Sequence, residues 1–323
     1  MNFAKYLTKK IFLLAVTFSI ALFLGYVFFF LLLNKTQTVS ILEGFFLFLN
    51  NLSKGFGQLY NTTIADAFSS PLTLFWNYYQ WSFLFVSTTL VISVLVGLTI
   101  GLVMGYKNNK SSDLILSFFV FGAIAIPTFV LAPILIVVAQ NNDLPVMFLK
   151  PSVLGLNWTI ASLIFPIILL LVVPVSIIST ITKNTIIKSY TESYIVQMQA
   201  NGMSTTAIFR KAIFKNICTN LAGNAFGILI LVSSFSFIIE RIFQIPGQSL
   251  LLINMIESNE INVLLCFLFF KLLIFLLFLL LFDTLSDVWN NLIEEKTQGW
   301  YIWKHIKQRS WLNKERKNAE TRK

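Results

Sequence analysis

An all-α polytopic membrane protein with six transmembrane helices is the fold class predicted by this 323-residue chain, and three observations carry the expectation. Hydrophobic residues make up 56% and charged residues 12%, about half the charged fraction of soluble domains. The apolar residues are gathered in blocks long enough to cross a hydrocarbon core of about 30 Å. Lys and Arg are shared unequally between the two sets of connecting segments, 19 on the side that holds both ends and 4 on the other. The positive-inside rule therefore places both termini in the cytoplasm. The net charge of +10 is then a topological signal with some attraction to anionic lipid, and nucleic-acid binding is not needed to explain it.

The elements follow in order. Residues 1–10 are a short basic cytoplasmic N-terminus carrying Lys5, Lys9 and Lys10. Residues 11–33 contain no charge and form the first span; the run is longer than a signal-peptide core and lacks its small cleavage-site residues. Ile41 to Leu52 is apolar but too short to cross, and is expected at the outer surface. The second span, 81–105, carries Gly97, Gly101 and Gly105 at four-residue intervals, a bare stripe along which another helix can approach closely. Packing within the bundle is preferred there over a pathway role. The third span, 114–138, contains Pro127 and Pro133, which break the helical ladder; kinks facing a cavity and kinks used in packing are equally open. The fourth span, 159–181, contains Pro166 and Pro174, and the fifth, 222–239, opens with Gly223 and Gly227. The sixth, 262–282, holds Lys271 near its middle. A lysine at that depth is costly in lipid and is expected to face protein, water or a partner, or to snorkel. A basic tail, 283–323, completes the chain.

The interval 182–221 between the fourth and fifth spans is the longest polar stretch flanked by strongly apolar ones. Tyr194, Ile195, Met198 and Gln199 fall at helical spacing before Asn201-Gly202, where glycine tolerates the left-handed conformation that ends a helix. Ser204 is placed to cap a second helix, Thr205 to Lys215, on which Ala207, Ile208 and Ala212 alternate with Lys211 and Lys215. A helix pair of this kind is either a docking element or an ordinary amphipathic connector.

Tyr194-Ile195, Ala200-Asn201-Gly202-Met203-Ser204 and Arg210 to Asn216 resemble the EAA loop of bacterial ABC importer permeases. The version they look like is that of the first permease subunit of oligopeptide and dipeptide importers. A second stretch is similar to the segment after the fifth span in the same family, with Glu240, Phe243, Pro246 and Gly247 at the matching places. A bland outer turn at Pro246-Gly247 is the alternative. Weaker likenesses lie in Gly55 to Tyr60, in the Pro127 and Pro133 stretch, and at Asp283. The chain departs from the pattern in two places. Val196, Gln197 and Met198 stand where the general family has Glu-Ala-Ala, and Asn290-Asn291-Leu292 replaces an Asp-Pro-Arg.

The resemblance implies a type I ABC importer permease in the plasma membrane, its loop 182–221 coupling to an ATPase through Tyr194, Ile195, Met198, Ala200, Gly202, Met203, Ser204 and Ile208. It implies as partners a second homologous permease forming a heterodimer, two cytoplasmic ATP-binding subunits and an external substrate-binding protein. ATP and Mg would be held by the ATPase partners, with no cofactor in this chain. Dipeptides, longer peptides and metal chelates all remain open as cargo.

The residues themselves argue against chemistry within the chain. No Gly-Lys dipeptide occurs, so no phosphate loop of the G-x-x-x-x-G-K-[ST] type is present. Cys218, Cys266 and the single His305 offer neither a disulfide framework nor metal-ligand spacing. The alternative function is a secondary transporter driven by an ion gradient, which calls for paired ionisable residues in the spans; only Lys271 is on offer. A membrane-anchored enzyme or assembly factor ranks third, for want of a site.

Overall fold

A computed structural model describes residues 2–33 and 40–290, which form helices and connecting turns with no strand among the described residues. Helix α1, Asn2–Leu33, takes in the basic N-terminus as its first turns. Helix α2, Ile41–Asn51, begins at a capping box: Ser40 accepts from the Glu43 N–H while Glu43 reaches back to the Ser40 N–H. After the short α3, Thr62–Ala67, comes α4, Pro71–Tyr106. It starts ten residues ahead of the expected boundary at Trp81, because Ser70 caps it through the Thr73 N–H and Pro71 occupies its first turn.

The third span is not one kinked helix. It is two helices, α5, Ser111–Ala125, and α6, Thr128–Asn141, meeting at a bend of 102°. Pro127 forces the break, since it cannot donate to the ladder and drives Ile126 into an extended conformation (φ −92°, ψ 119°). Pro133, by contrast, is accommodated inside α6, as Pro166 and Pro174 are inside α8. The short α7, Pro151–Leu154, leads into α8, Leu156–Thr191, which extends well past the expected end at Ile181.

The expected loop 182–221 is mostly helix. Helix α9 is Ser193–Ala200 and α10 is Thr205–Ile208. The second helix expected to end at Lys215 does not end there. It passes through one π-helical turn, Phe209–Ile213, directly into α11, Phe214–Ile242. The helix runs on because nothing between Ala207 and Leu221 breaks the ladder. Helix α12, Gln248–Glu257, and α13, Ile261–Trp289, follow; α13 extends beyond Phe282, so the first residues of the expected tail are helical. The remainder of that tail, 291–323, lies outside the described residues, as do Lys35, Asn291, Leu292 and His305.

Five of these helices are long and apolar enough to cross a membrane, and the bent α5–α6 pair supplies a sixth candidate. Interhelical contacts show that the pair runs from one end of the bundle to the other. Gly97 abuts Ile178, Gly101 abuts Thr182 and Gly105 abuts Ile186, a constant spacing that makes α4 and α8 parallel neighbours in register. The chain leaving the end of α4 must therefore travel back to the starting level of α8, and α5–α6 is the segment that does so. Helix α11 runs antiparallel to α8, as Asn216 meets Ser189 and Asn220 meets Thr185. Helix α13 runs antiparallel to α11, with Ser286 at Thr219 and Lys271 at Ser233. Helix α1 is antiparallel to α13, with Gly25 at Leu268 and Tyr6 at Asp287. Asn2, Trp289 and the α9–α10 segment thus share one end of the bundle, the end the charge distribution places inside.

The core is layered along this axis. The outer layer is aromatic, with Tyr26, Phe48, Phe56, Phe75 and Tyr79 packed on Phe267 and its neighbours in α13. A middle layer joins α4, α6, α8 and α11 through Phe85, Ala132, Leu170, Ile178 and Val232. The inner layer is built from Ile186, Ile195, Ile208, Ile213 and Ile217. In lipid, such layers hold together by close packing rather than by escape from water.

Candidate functional site

At the inner end, α9 stops in a Schellman motif that Gly202 makes possible. Its φ of +74° lies in the left-handed region, where any residue with a Cβ is strained. The Gly202 N–H donates to the Gln199 carbonyl at 2.9 Å and the Met203 N–H to the Met198 carbonyl at 3.1 Å, satisfying two orphan acceptors of the helix end. Ser204 then accepts from the Ala207 N–H at 3.3 Å and caps α10. Both features were foreseen from local sequence.

Each of the two short helices buries one isoleucine in the bundle. Ile195 of α9 and Ile208 of α10 are fully buried against Ile186, Ile213 and Ile217, with Met198 and Met203 half-buried at the edge of the same cluster. Tyr106 closes the cluster from α4, its ring 6.2 Å from those of Tyr190 and Phe209. Tyr194 is 39% exposed, and its hydroxyl accepts from the Asn216 amide at 2.7 Å, the same amide donating to Ser189 at 3.0 Å. That one asparagine ties α9 to the ends of α8 and α11. Ala200, Asn201, Gly202 and Ser204 face outward and are exposed, with Gln197, Gln199 and Thr205 beside them. The segment is thus an apolar-backed, polar-fronted projection bonded to α8 and α11 and packed near α4.

The second stretch singled out by sequence lies elsewhere, toward the outer half. There the chain does more than turn: after Phe243 it folds back so that the start of α12 is buried inside the bundle. Glu240 is fully buried, and its Oε2 accepts from the Ser249 N–H at 3.1 Å, while Oε1 has no hydrogen-bond partner among the described residues. The Phe243 carbonyl accepts from the Phe148 N–H at 2.9 Å, fastening the outer loop before α7. Pro246 precedes Gly247, and a Cβ on Gly247 would overlap the Ser82 hydroxyl and the Glu240 carboxylate. Only glycine fits between them. Gln248 is the hub: its N–H donates to Ser82 Oγ at 2.6 Å, its side-chain amide to Ser236 Oγ at 2.7 Å, and its Oε1 accepts from Lys271 at 2.7 Å.

Lys271 is therefore engaged within the chain. Its ammonium also donates to Ser233 and lies 4.9 Å from the centre of the Phe275 ring, a cation–π distance. The coupling residues and the Glu240 to Gly247 group are not brought together; they occupy opposite halves of the bundle.

Sequence reasoning missed three polar constellations. Glu260, fully buried at the start of α13, accepts the N–H groups of both Tyr60 and Asn61 through Oε1. Asp113 pairs with Lys183 at 2.6 Å. Lys10 pairs with Asp283 and lies 3.4 Å from Asp287, which also accepts from the Tyr6 hydroxyl. Each joins residues at least 70 positions apart except within the Tyr6–Lys10 turn. An acid beside an apolar run was the one visible signal, and it named no partner. Among the described residues no group of His, Cys, Asp and Glu is arranged to hold a metal ion.

Residues 97–298 match the protein family described as binding-protein-dependent transport system inner membrane component. The chain is similar to the dipeptide transport system permease protein DppB of Bacillus subtilis, 28% identical over 197 residues, covering 61% of this chain and 62% of that protein. It is likewise similar to the oligopeptide transport system permease protein OppB of Haemophilus influenzae, 28% identical over 225 residues, 65% of this chain and 66% of the relative. With the OppB protein of Mycoplasma pneumoniae it shares 30% identity over 159 residues, 47% of this chain and 40% of the relative. In each case the chain spans less than two thirds of the relative's own length.

Proposed function

Because the chain belongs to the family of binding-protein-dependent transport system inner membrane components, we propose that it is a membrane-spanning permease subunit of an ATP-driven importer for peptides. The observation that carries the proposal is the projection around Gly202: two short helices, polar outside, each anchored by a single buried isoleucine to the ends of α4, α8 and α11. It is shaped to receive a mechanical push. Peptides are the cargo suggested by the printed names of the relatives.

In this reading a second homologous permease completes the pathway, two cytoplasmic ATPase subunits bind ATP and Mg, and an external binding protein delivers the peptide. ATP-driven closure of the ATPases moves the projection, which carries the inner ends of three long helices and alternates access between the two faces. The gradient-driven alternative rested on Lys271 having work of its own. Its ammonium is occupied by Gln248 and Ser233, which fits a structural post.

Gentle solubilisation of the tagged chain, identification of stoichiometric companions by mass spectrometry, and reconstitution of the purified assembly test the proposal. A second permease, ATPase subunits with phosphate loops, and peptide uptake that requires ATP and the binding protein are expected. Uptake by the chain alone, driven by a proton or sodium gradient, would overturn it.

A further inference from the structure

The broken third span is held unevenly. Helix α6 joins the middle core layer through Ala132, with Leu131, Leu135 and Ile136 packed against that layer. Helix α5 is mostly bare: of its fifteen residues only Asp113 and Val120 are buried, and Leu114, Phe118 and Phe119 project outward. Beside the packing of Val120, what attaches α5 to the rest is polar and sits in its first two turns. Asp113 Oδ2 accepts from the Asn109 N–H at 3.1 Å, the ordinary work of an acid near a helix N-terminus. Asp113 Oδ1 does something different. It accepts from Lys183 Nζ at 2.6 Å, across to α8, and from Ser117 Oγ at 3.1 Å; Lys183 Nζ also lies 3.1 Å from Ser117 Oγ.

Lys183 stands where α8 packs closely on α4. Its neighbour Thr182 presses on Gly101 of α4, and Ile186, one turn on, is in the cluster that buries Ile195 and Ile208. The ammonium is thus fixed to the same body as the coupling projection, while the carboxylate it holds is the root of a helix freed from α6 by a 102° bend. Asp113 is 3% exposed, so the pair is screened little by water and its loss leaves a charge without its partner.

We propose, resting on the permease reading above, that Asp113 and Lys183 are a positioning pair that makes α5, the inner half of the third span, move as one piece with α8 and the coupling segment, the bend at Ile126–Pro127 serving as the hinge. Without the pair, α5 would follow the push only through Val120 and its packing against α4 and α8, which carries no charge to fix its register.

The test uses the complete transporter in proteoliposomes, with whichever labelled dipeptide or oligopeptide the parent complex imports. Asp113→Asn keeps an acceptor for the Asn109 N–H but removes the charge; Lys183→Met removes the donor; Lys183→Arg keeps it. Both charge-removing variants are expected to assemble and hydrolyse ATP, with peptide imported per ATP hydrolysed falling about tenfold, while Lys183→Arg retains the parent ratio. Spin labels on the exposed Leu114 and Asn184 positions are expected to keep one separation with and without ATP in the parent, and two in Lys183→Met. An unchanged ratio in both charge-removing variants overturns the proposal. So does a loss shared by Lys183→Arg and accompanied by failed assembly, or a parent separation that changes with ATP. Absence of ATP-driven uptake in the parent complex would instead overturn the permease reading itself.

Discussion

Lys271 Nζ reaches Gln248 Oε1 at 2.7 Å, joining the middle of α13 to the first residue of α12 inside the bundle. The contact explains how a helix that begins buried inside the bundle is kept there. Lys271→Met preserves length and apolar contact but leaves Gln248 Oε1 and Ser233 Oγ without their donor, at a cost of about 1–3 kcal/mol for each buried group left unsatisfied. We expect the start of α12 to come loose. With Cys218 and Cys266 replaced by alanine, a cysteine at Ser249 is expected to resist a membrane-impermeant maleimide in the parent and to be labelled from outside in Lys271→Met. Equal protection in both would contradict the role given to Lys271.

The α4–α8 contact makes a sharper steric prediction. A Cβ on Gly101 would lie 2.6 Å from Thr182 Cβ and 2.7 Å from the Ser179 carbonyl oxygen, whereas one on Gly227 would meet nothing within 4 Å. Gly101→Val therefore forces the two backbones apart and costs at least the ~1–3 kcal/mol of an overpacked site. Gly227→Ala is expected to be neutral within error. Thermal midpoints of the detergent-solubilised variants check both; similar midpoints for the two would show that the stripes are equivalent.

Gly202 separates conformation from contact, because no atom lies within 4 Å of where its Cβ would be. Gly202→Val puts a β-branched residue at φ +74°, a strain of about 1–2 kcal/mol. Gly202→Asn is expected to be tolerated, since asparagine adopts that conformation more readily. In the reconstituted transporter the valine variant is expected to keep ATP hydrolysis and lose peptide uptake, with the asparagine variant near the parent. A valine variant with full uptake would remove the coupling role from this turn.

Glu260 holds the outer segment before α3 by two backbone N–H groups. Glu260→Ala strands both donors, at about 1–3 kcal/mol each, and Glu260→Gln keeps a carbonyl acceptor. Protease added to right-side-out vesicles is expected to cut near Tyr60 faster in the alanine variant and at close to the parent rate in the glutamine variant. If all three are cut alike, Glu260 does not fasten that segment.

What the residues determined by themselves is whatever depends on neighbours a few positions away. The long apolar helices could be read because lipid admits only such elements, and positive charge gathered on one side supplies the expectation of which end faces inward. The helix end at Gly202 and the cap at Ser204 could be read because each is a property of one turn of backbone. Tertiary structure alone decided the rest. Pro127 and Pro133 look alike in sequence, yet one breaks the span by 102° and the other sits within a helix. The Thr205 to Lys215 helix became the root of α11, since a run of good helical residues ends only where packing or a breaker ends it. Lys271 could have faced lipid, water or a partner, and the residue that claims it, Gln248, is reachable only because the Pro246-Gly247 turn folds back beneath Glu240. Asp113 with Lys183, and Glu260 with Tyr60, are partners across 70 and 200 positions, joined by the order in which helices pack. An ionisable side chain announces that it needs a partner; which partner it finds is set by the crossing of helices, and no local pattern encodes that.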